Sequence, residues 1–492
     1  MTQSPNILLI LTDQQRWDTI CGRTGCRTPN VNRLATEGLT FERSYTPVSL
    51  CCPTRAMLLS GAYGWHNGVF NQIHVPERMQ WGMRDGTVTY AQRLSDAGYE
   101  TGYVGKWHAD FIKGPLDYGY RRTSFVNVSP VIAQRANQIP EDDYARIRQQ
   151  YPTRLHDQRI AHWVGGDEWP VWQEFDGPME GRAMHFRATR GIALLNEFAD
   201  NPKPWLLEVH FPEPHDPFSP HVEFARRYNA DDIPLPDNWR EEYINKPGMN
   251  RKEAENYREL NEEDVRQAIA HYWAYNEELD HHIGRILDAL EESGQKENTL
   301  VVFSSDHGEL LGNHGMFIKG WMPYEETHRV PMIARLPGSI PAGSQAGQLV
   351  HLHDWAHTFC DVGRAEPLPF NDGISLSDLI QSPETTESRD AIMNAYYGGE
   401  FLYTQRILIT QRYKYVFNGF DIDELYDLET DPSEMINLID DAGHTEIRDG
   451  LRRRLYEEME RLDDPYKSRW KYHAGRYLPH PDGPSDPHLS GL

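Results

Sequence analysis

Runs of apolar residues recur along this chain, and segments with a helical spacing of apolar positions separate them. A short run without polar alternation is typical of a strand that is buried on both faces of a parallel or mixed sheet. Such strands are predicted at 6–12, 39–45, 99–104, 204–211, 299–305 and 330–335. The longest helix is predicted between Asn261 and Gly294, where apolar residues follow at steps of three, four and seven. The pattern indicates an α/β domain.

The composition and the predicted elements of the chain change after the strand at 330–335. A connection rich in Pro, Gly and Ser runs from 337 to 347, and 351–380 is predicted to close the large domain with one or two helices. Three short strands, expected to be antiparallel, and a final helix are then predicted at 392–397, 405–410, 413–417 and about 444–462. We predict a large domain over 1–375 and a small C-terminal domain over 376–462. The tail over 463–492 is predicted as coil that could serve as an arm in a homo-oligomer.

Residues from about 110 to 190 interrupt the pattern of the large domain. This part is rich in Arg, Tyr, Pro and Trp, and Trp163, Trp169 and Trp172 lie close together in it. We interpret it as an insertion that shapes a substrate opening or a contact between subunits. Its tryptophans fit two roles, a platform on which a sugar stacks or packing within a lid or an interface.

Composition and charge argue against some classes of binding partner. The 492 residues carry 49 Lys and Arg against 74 Asp and Glu, a formal net charge of −25. Nucleic acid and anionic membranes are poor partners for such a chain, and an anionic substrate would need a local cationic pocket. The five cysteines form no regular disulfide framework, and the N-terminus enters a strand without a basic segment or a long apolar run. We predict a cytoplasmic protein.

Polar residues follow two of the predicted strands, at the place where open α/β folds bind ligands. Asp13 and Gln14 come after the first strand, and Asp306 and His307 come after the strand at 299–305. A carboxylate at the carboxyl end of such a strand is a candidate for ligand binding. A turn residue that caps the strand is the alternative role for Asp13.

Two further strand ends carry groups that bind anions or transfer protons. Lys106 and His108 lie two positions apart after the strand at 99–104, and they point the same way if the backbone is extended. His215 lies in a loop that three prolines between 212 and 217 keep extended. A solvated lysine and ordinary surface or core histidines are the alternative interpretation.

The most unusual stretch is Cys51-Cys52-Pro53-Thr54-Arg55, which leads into a short apolar helix that ends at Gly61. Its spacing resembles the signature Cys-x-Pro-x-Arg of the sulfatase family, although buried cysteines are more often structural. Further stretches resemble that family and occur in its order: Thr28-Pro29-Asn30, Gly105-Lys106-Trp107-His108, Lys319 with its neighbours, and the segment from Asp423 to Glu434.

The resemblance implies an alkaline-phosphatase-like α/β fold, with a large mixed-sheet sandwich and a smaller C-terminal antiparallel sheet plus helix. It also implies that a formylglycine-generating enzyme oxidises Cys51 to formylglycine, whose hydrated aldehyde carries two hydroxyls. One hydroxyl attacks sulfur, and the other, once deprotonated, expels sulfate as the aldehyde reforms. A serine or a thiol has no second hydroxyl for this step.

The same resemblance assigns the remaining groups. The metal ligands would be Asp13, Gln14, Asp306, His307 and the group at Cys51, where the family usually has a second aspartate in place of Gln14. This mostly oxygen set suits one divalent ion, with Ca²⁺ favoured and Mn²⁺ or Mg²⁺ as alternatives. Arg55 and the metal would hold the nucleophile deprotonated. The other roles would be sulfate binding and assistance to the leaving group by Lys106, Lys319 and His215, and breakdown of the adduct by His108.

We predict a sulfatase that hydrolyses a sulfate monoester of a small molecule or a saccharide to an alcohol and inorganic sulfate. The first alternative is a phosphonate monoester or phosphodiester hydrolase with the same formylglycine and metal site, although that class lacks the Lys and His of Gly-Lys-Trp-His. The second is a non-catalytic anion-binding protein in which Cys51 stays a thiol. The alcohol is open among aryl groups, sugars, choline and other small alcohols.

Overall fold

A computed structural model describes residues 4–75, 78–127, 141–162, 166–399, 402–419 and 421–467. Its strands, numbered in chain order, are β1 Asn6–Thr12, β2 Leu39–Tyr45, β3 Glu100–Lys106, β4 Arg122–Asn127, β5 Arg154–His162, β6 Glu168–Asp176, β7 Trp205–His210, β8 Thr299–Ser305, β9 Met332–Arg335, β10 Ser344–His351, β11 Ala391–Gly398, β12 Leu402–Thr410, β13 Tyr413–Phe417 and β14 Glu424–Asp427. Its α-helices are α1 Pro29–Glu37, α2 Cys51–Ser60, α3 Gly64–Asn67, α4 Tyr90–Asp96, α5 Glu141–Gln150, α6 Ala183–Ala199, α7 Val222–Ala225, α8 Gly248–Ala254, α9 Glu262–Glu292, α10 Glu325–His328, α11 Asp354–Val362, α12 Ser377–Gln381 and α13 Thr445–Arg461.

An eight-stranded sheet in the order β10-β2-β9-β8-β1-β7-β3-β4 forms the centre of the molecule. Its pairs are parallel except those of β9, which runs antiparallel to β2 and β8. Ile7, Leu9 and Leu11 enter a core with α2, α4 and α11, whereas Leu8 and Ile10 enter a core with α1, α6 and α9. Helices therefore cover both faces, which confirms the predicted α/β sandwich and explains the absence of polar alternation in β1.

The register of the central strands brings their carboxyl ends together. Thr12 at the end of β1 is paired with Ser305 at the end of β8. Leu11 is paired with His210 at the end of β7, and His210 is in turn paired with Gly105 of β3. The residues that follow β1, β8, β7 and β3 consequently meet at one edge of the sheet.

The C-terminal part forms a four-stranded antiparallel sheet in the order β11-β12-β13-β14. Leu455 and Met459 of α13 pack on this sheet in a core that also includes Met57 of α2. The smaller antiparallel sheet with its helix is therefore confirmed, and it rests on the helix that begins at residue 51. β14 was not predicted, because a strand of four residues gives little periodicity. The domain limits at 375 and 462 remain predictions.

The edge strand β10 corrects one expectation. The last strand of the sheet was predicted at 330–335 and a connection at 337–347, whereas Ser344–His351 pairs in parallel with β2. Gln345 and Gly347 of β10 are exposed and Ala346 between them is buried. An edge strand needs only one covered face, so its polar and glycine content is similar to that of a loop.

The region from 110 to 190 has more than one role. It supplies β4 to the main sheet and a separate hairpin of β5 and β6. The ring of Trp169 lies 5.5 Å from that of Tyr257, and Trp172 stacks on His271 at 4.0 Å. Of the two roles open to these tryptophans, packing is the one that these contacts show.

Two predictions fall outside the described residues, namely those on Trp163 and on the tail beyond residue 467. All five cysteines are free thiols. Among the described helices, none combines the length and the apolar character that crossing a membrane requires.

Candidate active site

Residue 51 lies in the first turn of α2, beside the edge of the sheet at which β1 and β8 end. Every residue from Cys51 to Ser60 is buried. Sγ of Cys51 is 3.2 Å from Nε2 of His307, which lies 256 positions further along the chain. The same sulfur is 3.9 Å from Oδ1 of Asp13. The predicted nucleophile thus meets residues from two different strand ends.

Four of the predicted metal ligands converge at this place. Asp13, Cys51, Asp306 and His307 are buried, and each presents one donor atom within 4.8 Å of the other three. Nδ1 of His307 lies 2.9 Å from the carbonyl oxygen of Gly308, so Nδ1 carries the proton and Nε2 presents its lone pair to the cluster. Two carboxylates, an imidazole and the group at residue 51 form a donor set that fits one divalent ion.

Gln14 lies beside this cluster, but its side chain has other partners. Its backbone N–H donates to Oδ1 of Asp306 at 3.2 Å. The side-chain nitrogen donates to Oδ1 of Asp216 at 3.0 Å and to Oε2 of Glu309 at 2.5 Å, and the side-chain oxygen accepts from Lys319. The structure therefore links Gln14 to Lys319, and its role as a metal ligand stays a prediction.

The guanidinium of Arg55 joins the two carboxylates of the cluster. Nη2 donates to Asp13 Oδ2 and Nε donates to Asp306 Oδ2, both at 2.9 Å. Nη1 donates to Nδ1 of His210 at 3.0 Å and to the carbonyl oxygen of Lys106 at 3.1 Å. Charge-assisted bonds on three sides fix this buried group in place. These contacts make Arg55 a positioning group for the carboxylates.

The predicted lysines and histidines surround the same point. Nζ of Lys106 forms an ion pair with Oδ2 of Asp13 at 2.6 Å. Nζ of Lys319 lies 2.5 Å from Nε2 of His215, and that nitrogen lies 4.0 Å from Oδ1 of Asp13. The side chain of His108 lines the same cavity wall as Cys51. The structure therefore brings together all the residues that the sequence predicted for the site.

A glycine allows β3 to deliver Lys106 and His108 to this site. Gly105 has a φ of +101°, in the left-handed region that favours glycine. A Cβ at this position would lie 1.8 Å from the carbonyl oxygen of His210 in the neighbouring strand β7. Any side chain at position 105 would push β3 away from β7, so the close packing of these two strands requires the Gly of Gly-Lys-Trp-His.

The charges around residue 51 change its acidity. Burial alone would raise the pKa of the Cys51 thiol, but the charges of Lys106 and Lys319 act against burial, and the pKa lies well below its ordinary value. Burial, and after it the neighbouring Lys106, lowers the pKa of His108 to about 4, so its imidazole is uncharged at neutral pH. At neutral pH, residue 51 faces two lysines and an uncharged His108.

The two carboxylates behave as an interacting pair. Burial and the neighbouring Asp13 raise the pKa of Asp306 to about 6. Burial also acts to raise the pKa of Asp13, but Lys106, His215 and Arg55 outweigh it and bring that pKa below its ordinary value. A divalent cation between the carboxylates would relieve their repulsion and keep both ionised.

Two residues behind Arg55 were not among the predicted site residues. Glu208 and His210 are buried within β7, and Nε2 of His210 lies 2.8 Å from Oε2 of Glu208. This contact places the proton of His210 on Nε2 and leaves Nδ1 free to accept from Arg55. The signal for both is in the sequence, as two polar residues at alternate positions of an otherwise apolar run.

His74 was also missed, and nothing in its neighbourhood in the sequence distinguishes it. Its ring stacks on that of His108 with centroids 4.5 Å apart, and its Nδ1 lies 3.8 Å from Sγ of Cys52. Cys52, His74 and His108 thus form a second group of close donor atoms. Because the two rings are inclined by only 27°, their in-plane lone pairs do not converge, and we assign no metal there.

The site opens into a cavity of about 990 Å³. Its lining includes the predicted site residues Cys51, Lys106, His108, His215 and Lys319, whereas Arg55 lies beneath them. The wall also includes Gln72, His74, Val75, Phe111, Asp216, Glu253, Asn256, Tyr257, Trp321 and Tyr396.

Comparison with known families agrees with this geometry. A family model described as Sulfatase matches residues 5–365, well over half of the chain. The chain belongs to the sulfatase family. A second model, described as N-sulphoglucosamine sulphohydrolase, C-terminal, matches residues 312–461. The predicted class of enzyme, a sulfuric ester hydrolase, is the class of this family.

Named relatives of this sulfatase span nearly all of it. An arylsulfatase of Clostridium perfringens is 30% identical, over 94% of this chain and 96% of the relative. A choline-sulfatase of Rhizobium meliloti is 28% identical, over 94% and 88%. An N-acetylglucosamine-6-O-sulfatase of Bacteroides thetaiotaomicron is 26% identical, over 94% and 88%. Their names refer to different alcohols, so membership of the family does not fix the alcohol.

Solved structures share the fold of this sulfatase. A protein in complex with its substrate D-glucosamine-2-N,6-O-disulfate has a TM-score of 0.75 at 23% identity, covering 94% of this chain and 99% of that one. The phosphonate monoester hydrolase of Agrobacterium radiobacter has a TM-score of 0.75 at 24% identity, covering 93% and 96%. At these identities the likeness shows the alkaline-phosphatase-like fold alone, which sulfate and phosphonate hydrolases have in common.

Proposed function

We propose that this sulfatase hydrolyses a sulfate monoester to an alcohol and inorganic sulfate, with formylglycine formed from Cys51 as the nucleophile. The observation that supports it is that the group at residue 51 lies within one cluster with three further metal-donor side chains and also lines a cavity together with two lysines. One divalent ion would be held by Asp13, Asp306 and His307.

The lysines supply the local positive charge that a sulfate ester needs in a chain of net charge −25. Lys106 and Lys319 line the cavity next to Cys51 and would bind the sulfate oxygens. Their charges are held in place before substrate arrives, Lys106 by Asp13 and Lys319 by Gln14 and His215. Charge that is positioned in advance is usually the largest contribution to catalysis at an anionic centre.

The bound ion would supply a Lewis acid, and the formylglycine a second hydroxyl that a thiol lacks. His108 lines the cavity with residue 51 and is neutral at pH 7, because burial and then Lys106 lower its pKa to about 4. A neutral imidazole at this place can accept a proton from a hydroxyl of residue 51. We assign to it the removal of the proton that frees the sulfate.

His215 and Lys319 are placed to give a proton to the leaving alcohol. Nδ1 of His215 lies 2.9 Å from the carbonyl oxygen of Asp216, so this nitrogen carries a proton. Nε2 accepts from Nζ of Lys319 at 2.5 Å. The two groups therefore share one proton on the cavity wall, within reach of an oxygen that leaves the sulfate.

The decisive experiment compares the kcat/KM for 4-nitrophenyl sulfate with that for a 4-nitrophenyl phosphonate monoester, on protein with one equivalent of divalent metal. We expect the sulfate to be the better substrate by at least about tenfold, because Lys106 and His108 lie at the site. A preference for the phosphonate would establish the first alternative instead. If residue 51 proves to be a thiol and neither ester is turned over, the anion-binding alternative holds.

Three further proposals come from the sequence. We infer that a formylglycine-generating enzyme modifies Cys51, that the protein acts in the cytoplasm, and that it forms a homo-oligomer. Co-expression with such an enzyme should raise the fraction of residue 51 that is converted, as measured by peptide mass spectrometry. Cell fractionation and light scattering test the other two.

A further inference from the structure

The guanidinium of Arg55 bonds to an imidazole as well as to carboxylates. Nη1 of Arg55 lies 3.0 Å from Nδ1 of His210, and both side chains are buried. The nitrogens of a guanidinium only donate, so Nδ1 must carry no proton if it is to accept this bond. A doubly protonated imidazole, or one with its proton on Nδ1, could not accept it. His210 is therefore held as the neutral tautomer with its proton on Nε2.

Glu208 fixes the same tautomer from the opposite side of the ring. Oε2 of Glu208 lies 2.8 Å from Nε2 of His210. Oε1 accepts from the hydroxyl of Tyr90 at 2.5 Å and from that of Tyr120. All four side chains are buried. Because the two hydroxyls already donate to Oε1, the carboxylate serves as an acceptor, and its other oxygen is satisfied by a proton on Nε2 of His210.

Tyr103 limits the positions open to the guanidinium. Its hydroxyl lies 2.8 Å from Nδ1 of His210 and 2.5 Å from the carbonyl oxygen of Lys106. Nη1 of Arg55 donates to the same nitrogen and the same carbonyl oxygen. The other nitrogens of Arg55 that form side-chain bonds reach the two carboxylates next to residue 51, both at 2.9 Å. The orientation of the guanidinium toward these carboxylates therefore depends on its bond to His210.

We propose that Glu208 and His210 are positioning residues for the proposed sulfatase reaction and that they act through Arg55. Glu208 sets the tautomer of His210, and that tautomer presents Nδ1 as an acceptor to Arg55. The bond keeps the guanidinium in the orientation that joins Asp13 and Asp306. Neither Glu208 nor His210 lines the cavity, so we expect their effect to reach the substrate through this contact. The inference rests on the proposed function and adds two residues to it.

Two substitutions of His210 separate the acceptor from the bulk of the ring. In His210→Asn the side-chain oxygen can accept from Arg55 in place of Nδ1, so kcat for 4-nitrophenyl sulfate should stay within about threefold of the parent. His210→Leu has no acceptor, and we expect kcat to fall at least about tenfold. KM should hardly change in either variant, because Lys106 and Lys319 still bind the sulfate. A loss in His210→Asn as large as that in His210→Leu would overturn the role of His210.

Glu208→Gln tests the tautomer in two backgrounds. The new amide can donate to Nε2 of His210 and so favour a proton on Nδ1, which would then face the N–H groups of Arg55. We therefore expect kcat to fall about tenfold in the parent background. In the His210→Asn background there is no tautomer to set, so the same substitution should change kcat by less than about twofold. A similar result in the two backgrounds, whether a loss or no change, overturns the proposal.

Asp280→Asn is the matched control for the loss of a buried carboxylate. Asp280 is buried and accepts from three donors at the start of α1, the backbone N–H groups of Asn30 and Val31 and the side chain of Asn30. Its substitution should lower the free energy of unfolding in a denaturant titration and leave kcat per folded molecule unchanged. If it lowered kcat as much as Glu208→Gln does, the loss would come from a loosened fold and the positioning role would fail.

Nitrogen NMR of protein with labelled histidines tests the tautomer without turnover. The signal of His210 is the one that is missing from His210→Asn. We expect a proton on Nε2 and none on Nδ1 in the parent, and a proton at least partly on Nδ1 in Glu208→Gln. A protonated Nδ1 in the parent, or an unchanged tautomer in Glu208→Gln, overturns the proposal.

Failure of the proposed function gives a different result. It is overturned if parent protein that contains formylglycine and metal turns over no sulfate ester. The NMR spectrum of the parent then still shows whether His210 holds its proton on Nε2, since that measurement needs neither a substrate nor a folded Glu208→Gln variant.

Discussion

Two of the buried groups of charged residues in the described part of the chain differ in how their charges are used. The active-site cluster consists of Asp13, Cys51, Asp306 and His307. The other group, which we call the junction cluster, consists of Glu325, Lys414 and Glu434 and lies where β13 of the C-terminal sheet meets α10. Lys414 Nζ is 2.9 Å from Oε1 of Glu325 and 2.7 Å from Oε1 of Glu434, and it donates to the carbonyl oxygen of Pro323 at 2.9 Å.

The two clusters differ in whether they are enclosed within the protein or adjoin an open cavity. In the junction cluster one ammonium contacts three oxygen atoms inside the protein, and none of the three residues lines the cavity. In the active-site cluster the donor atoms face one another beside an open cavity that Cys51 lines, and two carboxylates remain in repulsion. Burial of charge is therefore weak evidence for function, whereas buried ligand atoms that converge on a cavity are stronger evidence.

The largest expected effect is at residue 51. Cys51→Ala should lower kcat/KM for 4-nitrophenyl sulfate by at least about 10⁴-fold, because it removes the nucleophile. Cys52→Ala is the matched control, since Cys52 lies beside it in the hydrophobic core, and its turnover should stay within a fewfold of the parent. Equal losses in the two variants would mean that both substitutions act by disturbing the structure, and not that residue 51 is the nucleophile.

Removal of the metal should have the second-largest effect on activity. Dialysis against a chelator should lower turnover by roughly 10³-fold, because the Lewis acid supplies several kcal/mol. Elemental analysis should find one divalent ion per chain in the parent and less in Asp306→Asn at equal folding. Full occupancy in that variant would show that the ion is bound elsewhere.

The lysines should have smaller effects. Lys106→Met and Lys319→Met should each lower kcat/KM by about 10²-fold, since each removes one preorganised charge from the sulfate. Lys113→Met is the control, because this exposed lysine pairs with Asp85. We expect no change in kcat/KM from Lys113→Met at constant ionic strength. A loss similar to that of Lys106→Met would mean that the net charge of the protein, and not a lysine at the sulfate, determines the rate.

The junction cluster should respond in stability and not in chemistry. Lys414→Met should lower the free energy of unfolding by about 3–5 kcal/mol, because it leaves the buried carboxylate of Glu325 without its cation. Activity per folded molecule should be kept. Arg412→Met, one residue before the strand that carries Lys414, breaks a pair with Asp427 in which the arginine is half-exposed, and it should cost less than about 1 kcal/mol. Denaturant titration measures both.

The smallest effect concerns pH. Burial, together with Glu325 and Glu326, raises the pKa of Glu434 to about 8, against the opposing influence of Lys414. The folded protein holds this proton up to about pH 8 and the unfolded chain releases it near pH 4.5, so this group makes stability fall as pH rises between these values. Glu434→Gln should flatten that decline, and the exposed Glu429→Gln should not. An unchanged slope in Glu434→Gln would show that the carboxyl is ionised in the folded protein.

The parts of the site that follow a predicted strand were the parts that the sequence could predict. Asp13 and Asp306 come directly after buried strands, and family spacing marks Cys51, so the sequence pattern is enough to predict these three ligands. His74 could not be predicted, because it reaches the cavity from a loop without periodicity. The strand β10 was missed because an edge strand needs few apolar residues.

The mass of the peptide that contains residue 51, measured together with turnover, tests most directly whether this residue is the nucleophile. Preparations made with and without a formylglycine-generating enzyme should differ in the fraction converted from thiol to aldehyde. We expect kcat for 4-nitrophenyl sulfate to rise in proportion to that fraction and to approach zero when all of residue 51 is thiol. Full turnover by a preparation in which every residue 51 is an unmodified cysteine would contradict the mechanism.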